Sequence, residues 1–181
     1  MGLYAGEILG LTLPRTDKRL FVFVEMDGCL TDGIAVATGC GFGHRTMRLF
    51  DYGKAAATFV DTETGRAVRI WPNPLARERA LTYATDAPDR WHAQLQAYQT
   101  MPATDLLLAR PAQLHVSLAE IISRHGERVV CESCGEDIIN EREVHQAGKI
   151  VCSACASGAY YTLSSDGRSD QVARGLPHPA R

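Results

Sequence analysis

The sequence predicts an α+β protein: a mixed sheet with packed helices, followed by a small treble-clef zinc finger. Three observations carry that reading. Residues 20–25, LFVFVE, are a continuous apolar and β-branched run of the kind a buried central strand presents. Residues 56–60 and 67–71 read as two more strands joined by Asp61-Thr62-Glu63-Thr64-Gly65, a five-residue hairpin loop with glycine at its end. Helical patterns surround these strands without a regular βαβ repeat, and two Cys-x-x-Cys pairs follow near the C-terminus.

Taken in order, residues 2–11 place Leu3, Ile8, Leu9 and Leu11 at near-helical spacing, with Gly10 near the end. After the first strand, Asp27 can cap a helix from Gly28 to Thr38 that packs Leu30, Ile34 and Ala37, and Gly39 is placed to end it. Pro72 and Pro74 stop the third strand, and Pro74 suits the first turn of a helix through Arg77, Glu78 and Leu81. Asp86 or Pro88 opens another helix, with Trp91, Leu95 and Tyr98 about one turn apart. A short turn capped by Asp105 covers Leu106 to Leu108, and residues 113–118 alternate as a last core strand would. The organisation expected is a core domain over 1–128, a finger over 129–163, and a flexible tail over 164–181 rich in Ser, Gly, Pro and Arg.

A length of 181 residues allows one ordinary core plus a small stapled module. The net charge of -2 gives no general attraction to nucleic acid or anionic membrane. No run approaches the ~20 apolar residues of a membrane span, and the N-terminus, with Glu7 inside its apolar residues, does not read as a signal peptide. The expected location is the cytoplasm, where six cysteines are better explained as metal ligands or thiols than as disulfides.

The sharpest signal is the pair of motifs Cys131-x-x-Cys134 and Cys152-x-x-Cys155, separated by 17 residues. Each pair supplies half a tetrahedron of thiolates, and four thiolates leave the metal no open position, so the expected role of the zinc is structural. Residues 143–151 can form a hairpin around Ala147-Gly148, and residues 153–161 a helix whose first turn carries Cys155. Between Val129 and Leu163, Glu132, Glu136, Asp137, Glu141 and Glu143 stand against only Arg142 and Lys149, a balance that repels phosphate. His145 reads as a surface residue.

The second concentration of chemistry runs from Glu25 to Lys54. Cys29 lies in the first turn of an expected helix, where the dipole favours a thiolate, and Asp32 shares its face three residues on. Such a pair could bind a metal or set an acid beside a nucleophilic thiol, and a cysteine there is equally at home as a small core residue. Cys40 follows Cys29 by 11 residues, about 16 Å along a straight helix. The two meet only if the turn at Gly39 folds Cys40 back, or a second protomer brings it near. Gly39, Gly41 and Gly43 resemble a phosphate loop only loosely. Asp51, Tyr52 and Lys54 suit a pocket rim or a turn with an internal ion pair.

The blocks VEMDGCLTDGIAVATGC, DYGKAAATF, RVVCESCGE, EREV and VCSACASGAYY together resemble the E-subunit family of formylmethanofuran dehydrogenase, over about residues 1–163. The resemblance implies an α+β core domain, a homodimer formed through it, and an auxiliary treble-clef finger. It carries the core motif onto Cys29, Asp32, Gly39, Cys40, Asp51, Tyr52, Gly53 and Lys54. Within that motif Cys29, Asp32, Cys40 and Lys54 are the candidate catalytic pocket. The finger ligands fall on Cys131, Cys134, Cys152 and Cys155. Family members usually carry a His-Gly-His-x-Cys-Pro segment just before the first helix, and this chain starts inside that helix. The resemblance therefore implies that a second metal in the core domain would need ligands from before Met1. It also implies an accessory subunit or stand-alone enzyme of one-carbon and redox metabolism with oxidoreductase partner proteins. The alternative is a non-catalytic metal-handling or protein-interaction module, and a nucleic-acid-binding finger ranks last on its acidic charge.

Overall fold

The apolar run forms β1 (Leu20–Val24), and all five of its residues are buried. The computed structural model describes residues 1–123 and 126–163, so the expected tail at 164–181 lies outside the described residues. Two compact units divide the chain, the first Met1–Ser117 and the second beginning at Leu118.

In the first unit β1 is joined by β2 (Met47–Leu49), β3 (Ala57–Asp61), β4 (Ala67–Pro72) and β5 (Leu107–Pro111) in the order β2-β1-β3-β4-β5. The β1–β2 pair is parallel and the other three are antiparallel, so the sheet is mixed as expected. Directly opposed residues share a face. The register therefore gathers Val22, Phe59, Val68 and Met47 on one face, in one apolar cluster with Ala5 and Leu9 of α1 (Gly2–Leu9) and Ile34 of α2 (Cys29–Thr38). Phe21, Phe23, Thr58, Val60, Arg69 and Trp71 alternate onto the other face.

Both helices end on a left-handed glycine, as the sequence predicts: Gly10 at φ 71° and Gly39 at φ 75°. The start of α2 differs from expectation. Its N-cap is Gly28 at φ 88°, a conformation open to glycine, and no side chain caps it, so Asp27 does not have that role.

Between β4 and β5 the chain inserts α3 (Ala76–Tyr83), α4 (Arg90–Thr100) and the single turn α5 (Ala103–Leu106). Asp89 caps α4 by accepting from the His92 N–H at 2.9 Å. Trp91, Leu95 and Tyr98 point outward, while Ala93 and Ala97 are buried, and Ala97 packs with Ala80 and Met101. Small residues let α3 and α4 approach closely, which a search for large apolar side chains passes over. The last strand also falls earlier than expected: residues 107–111 pair with β4, and residues 113–117 form no strand. Proline is tolerated at position 111 because β5 is an edge strand and ends there.

One ion pair ties the start of β1 to the end of β3. Arg19 grips the buried Asp61 through two bonds of 3.0 and 3.1 Å, and Asp61 also accepts from the Thr64 hydroxyl and the Glu63 N–H. The Arg19 guanidinium, opposed by desolvation, holds the Asp61 carboxyl at about 2 against an ordinary 3.8. A depressed folded-state pKa stabilises above the unfolded value and is lost as pH falls through the folded one. Asp61→Asn is expected to cost about 2 kcal/mol at neutral pH, with the difference from the unaltered chain vanishing between about pH 4 and pH 2. Urea unfolding across that range measures it, and a pH-independent difference would contradict the assignment.

The second unit holds α6 (Leu118–Ser123), then two hairpins and a final turn of helix. β6 (Arg128–Val130) pairs with β7 (Asp137–Ile139), β8 (Val144–Gln146) pairs with β9 (Lys149–Val151), and α7 (Ser153–Ser157) follows. Ala147 at φ 50° and Gly148 at φ 78° form the two-residue turn between β8 and β9. Among the described residues, no helix is long and apolar enough to cross a membrane.

Candidate metal centre and the Cys29 to Lys54 segment

The loop between β6 and β7 carries Cys131 and Cys134, and the end of β9 and the start of α7 carry Cys152 and Cys155. Gly135, at φ 77°, lets the chain turn so that its N–H reaches the Cys131 carbonyl at 2.9 Å. The second pair is docked by the chain itself. The Glu132 N–H donates to the Ile150 carbonyl at 2.9 Å, and the Ile150 N–H to the Glu132 carboxylate at 2.8 Å.

The four sulfur atoms lie within 4.8 Å of one another, and the Cys134 and Cys152 sulfurs are 3.9 Å apart. A tetrahedral ion about 2.3 Å from each thiolate needs sulfur–sulfur edges of about 3.8 Å, so the cluster is already close to the size of such a site.

Charge gives a second test of fit. The N–H groups of Cys134 and Cys152 donate toward Cys131 and draw its thiol down to about 6, the Cys152 N–H at 3.2 Å. For Cys134 the Glu136 N–H favours the thiolate, but the Cys131 thiol, burial and the remaining sulfurs outweigh it and push the group up to about 12. One thiolate is favoured and its neighbours oppose further ionisation, a conflict that a divalent cation removes. The residues present therefore fit a metal ion held by Cys131, Cys134, Cys152 and Cys155. His145 is exposed and stands outside this group.

The expected core pocket is distributed differently. Cys29 and Asp32 are exposed in the first turn of α2. Cys40 is 4% exposed and belongs to the apolar cluster under the sheet, its sulfur 3.3 Å from the Leu20 carbonyl and its thiol pushed up by burial. The ten residues of α2 separate the two cysteines by about 15 Å, and the turn at Gly39 carries Cys40 into the core rather than back to Cys29. Cys40 is thus a packing residue of this fold. The loop after Gly39 closes on itself, with the Gly41 N–H on the Thr46 hydroxyl at 3.1 Å, which accounts for its glycines as a turn.

Lys54 is exposed, its ammonium 5.9 Å from the centre of the Tyr52 ring. Asp51 accepts from the Gly53 N–H at 3.0 Å, and the N–H groups of Tyr52 and Lys54 both reach the Glu25 carbonyl, at 2.9 and 3.2 Å. The Asp-Tyr-Gly-Lys run is therefore a turn latched to the end of β1. Sequence reasoning missed what lies beneath it: the buried Glu25 side chain receives both arms of Arg69, at 2.6 and 2.7 Å. The signal available was a carboxylate closing an apolar strand and an arginine inside another, but their pairing depends on register.

The fold and the cysteine cluster define an α+β protein with a four-thiol metal centre. Residues 1–108 match the family model described as FmdE, Molybdenum formylmethanofuran dehydrogenase operon, and the chain belongs to that family. A solved structure, described as an FmdE-like protein of tungsten formylmethanofuran dehydrogenase from Syntrophus aciditrophicus, shares the fold. It has a TM-score of 0.53 at 22% identity, over 79% of this chain and 74% of that one. A protein of Archaeoglobus fulgidus named probable S-adenosyl-L-methionine-binding protein is 36% identical over 76 residues, which are 40% of this chain and 21% of that protein. The match thus spans about a fifth of the length of that curated relative.

Proposed function

We propose that this chain is a zinc-binding FmdE-type accessory protein, acting beside an oxidoreductase of one-carbon or related redox metabolism. The observation that carries the reading is the joint presence of the FmdE match over residues 1–108 and four converging thiols in the unit that follows. The family description, with its formylmethanofuran dehydrogenase operon, supports the metabolic setting. The name of the Archaeoglobus protein is not carried over, because so little of that protein is matched.

Zinc is the ion this donor set supports, since a closed tetrahedron of four cysteines is its usual structural form. A knuckle between β6 and β7, a second hairpin and a terminal helix follow in the order of a treble clef, which supports that description of the finger. The core domain is proposed to form a homodimer. A pocket near the start of α2 is supported by a cavity of about 600 Å³ lined by Leu30, Met1, Asn73, Arg77 and Tyr98. Cys29 and Asp32, in the same turn of α2 as Leu30, are its proposed functional side chains.

A second reading, a non-catalytic metal-handling or protein-interaction module, is favoured by one observation: among the described residues Cys29 and Asp32 belong to no group of three metal-capable side chains. Metal analysis of the purified chain, with light scattering for its mass in solution, tests both. One zinc per chain, lost in Cys131→Ser, is expected. A second equivalent lost in Cys29→Ser would move the core into the metal site proper. An iron–sulfur chromophore, or no bound zinc, would overturn the zinc reading, and a monomer would overturn the dimer.

A further inference from the structure

The face of the sheet turned away from α1 and α2 carries a built cavity that the proposed function does not use. Register sets Phe23, Thr58 and Arg69 side by side across β1, β3 and β4. Glu25 follows on the same face, held by Arg69, whose guanidinium lies 5.1 Å from the centre of the Trp71 ring. Phe50 is fixed beside β1 by its N–H on the Val24 carbonyl at 2.9 Å, and its ring meets that of Phe23 at 5.8 Å and 46°. With Tyr52 and His115, these side chains line a cavity of about 200 Å³.

Two polar groups reach this space from the sheet. Thr58 is 8% exposed, lines the cavity, and its hydroxyl has no hydrogen-bond partner among the described residues. A buried hydroxyl without a partner is the exception in folded proteins, and here the open side is the cavity. Glu25 is 7% exposed, and its carboxylate oxygens keep acceptor capacity beyond the two bonds from Arg69. Arg69 offsets the charge of Glu25, so the floor favours a neutral ligand over a cation. The walls are aromatic on several sides and favour a flat π-system. A volume below the ~300–1,000 Å³ of most ligand pockets leaves room for a single ring system.

We propose that this cavity binds a neutral, planar, amino-substituted nitrogen heterocycle, its ring between Phe50 and Tyr52 and its N–H edge on Glu25 and Thr58. The exocyclic amine donates to the Glu25 carboxylate, and the Thr58 hydroxyl donates to the neighbouring ring nitrogen. Binding reaches the metal centre through none of these residues, so the proposal stands or falls apart from the zinc reading.

Titration of the full chain with adenine and with 6-methylpurine, which has a similar shape but lacks the amine, tests it by saturation-transfer NMR and calorimetry. Adenine is expected to bind saturably and about tenfold more tightly than 6-methylpurine, the scale of one hydrogen bond to a charged acceptor. Thr58→Val should weaken adenine by about fivefold or more while retaining the melting temperature, since the valine keeps the shape of the side chain. Tyr52→Ala, at a rim position 64% exposed and therefore safe for folding, should weaken both purines together. No saturable binding of adenine up to its solubility, equal binding of the two purines, or full adenine affinity in Thr58→Val would each overturn the proposal.

Discussion

Chelation of the metal, or Cys131→Ser, is expected to unfold the β6–β9 module while the five-stranded sheet stays folded. The apolar support within that module is slight: its buried cluster is Cys131, Ile138 and Val151, one of which is itself a ligand. Arg128 and Asp137, paired at 3.2 Å, are both well exposed, and such pairs contribute little. Against this, structural zinc in finger peptides supplies an apparent ~10–16 kcal/mol, far more than a core of this size can replace. Cys131 is the most damaging position because its sulfur is a ligand, accepts the Cys152 N–H and is also the buried centre of the cluster. Hydrogen exchange reads the outcome. Amides of Cys131, Gly135, Ile150 and Cys152 should lose protection on chelation, while those of β1 and β3 keep theirs. Retained protection of the Ile150 amide in metal-free protein would show that the hairpins stand without the ion.

What the sequence made legible was whatever depends on near neighbours. The run LFVFV is buried at every position, Gly10 and Gly39 end their helices, and Ala147-Gly148 turns its hairpin, each from a local requirement. The four ligands were legible because a metal imposes spacing on the chain. Elements defined by a distant partner were not. β2 is three residues long with only Met47 buried, and exists because β1 offers it an edge. Residues 113–118 alternate as well as many strands do, yet residues 107–111 occupy the edge of β4. The same limit governs the candidate sites. Cys29 and Cys40 looked like a pair because they share a segment, but burial assigns one to solvent and the other to the core. Glu25, Thr58 and Arg69 looked unrelated, and the sheet register makes them neighbours.

Gly39→Ala is expected to be the most destabilising single change among the turn glycines, costing about 2–5 kcal/mol from backbone strain and overpacking together. Gly39 has φ 75°, so any side chain there is strained. A Cβ would also lie 2.5 Å from the Arg15 carbonyl oxygen and 3.0 Å from the Arg15 nitrogen. These are backbone atoms, and they are held in place: the Arg15 N–H donates to the Thr38 carbonyl at 2.9 Å, one residue before the glycine. Relief requires that strap to move away from the end of α2. The shift would also disturb Cys40, whose N–H is held by the Thr38 hydroxyl at 3.1 Å and whose sulfur packs against Leu20. Gly10 supplies the control. It ends α1 in the same left-handed conformation, at φ 71°, but a Cβ there meets nothing within 4 Å. Gly10→Ala should therefore cost only the conformational strain, about 1–2 kcal/mol. The difference between the two variants in urea unfolding, at matched m-values, isolates the close approach of Arg15 to α2. Equal losses would mean that the strap yields freely and that Cys40 is held by its own packing rather than by this contact.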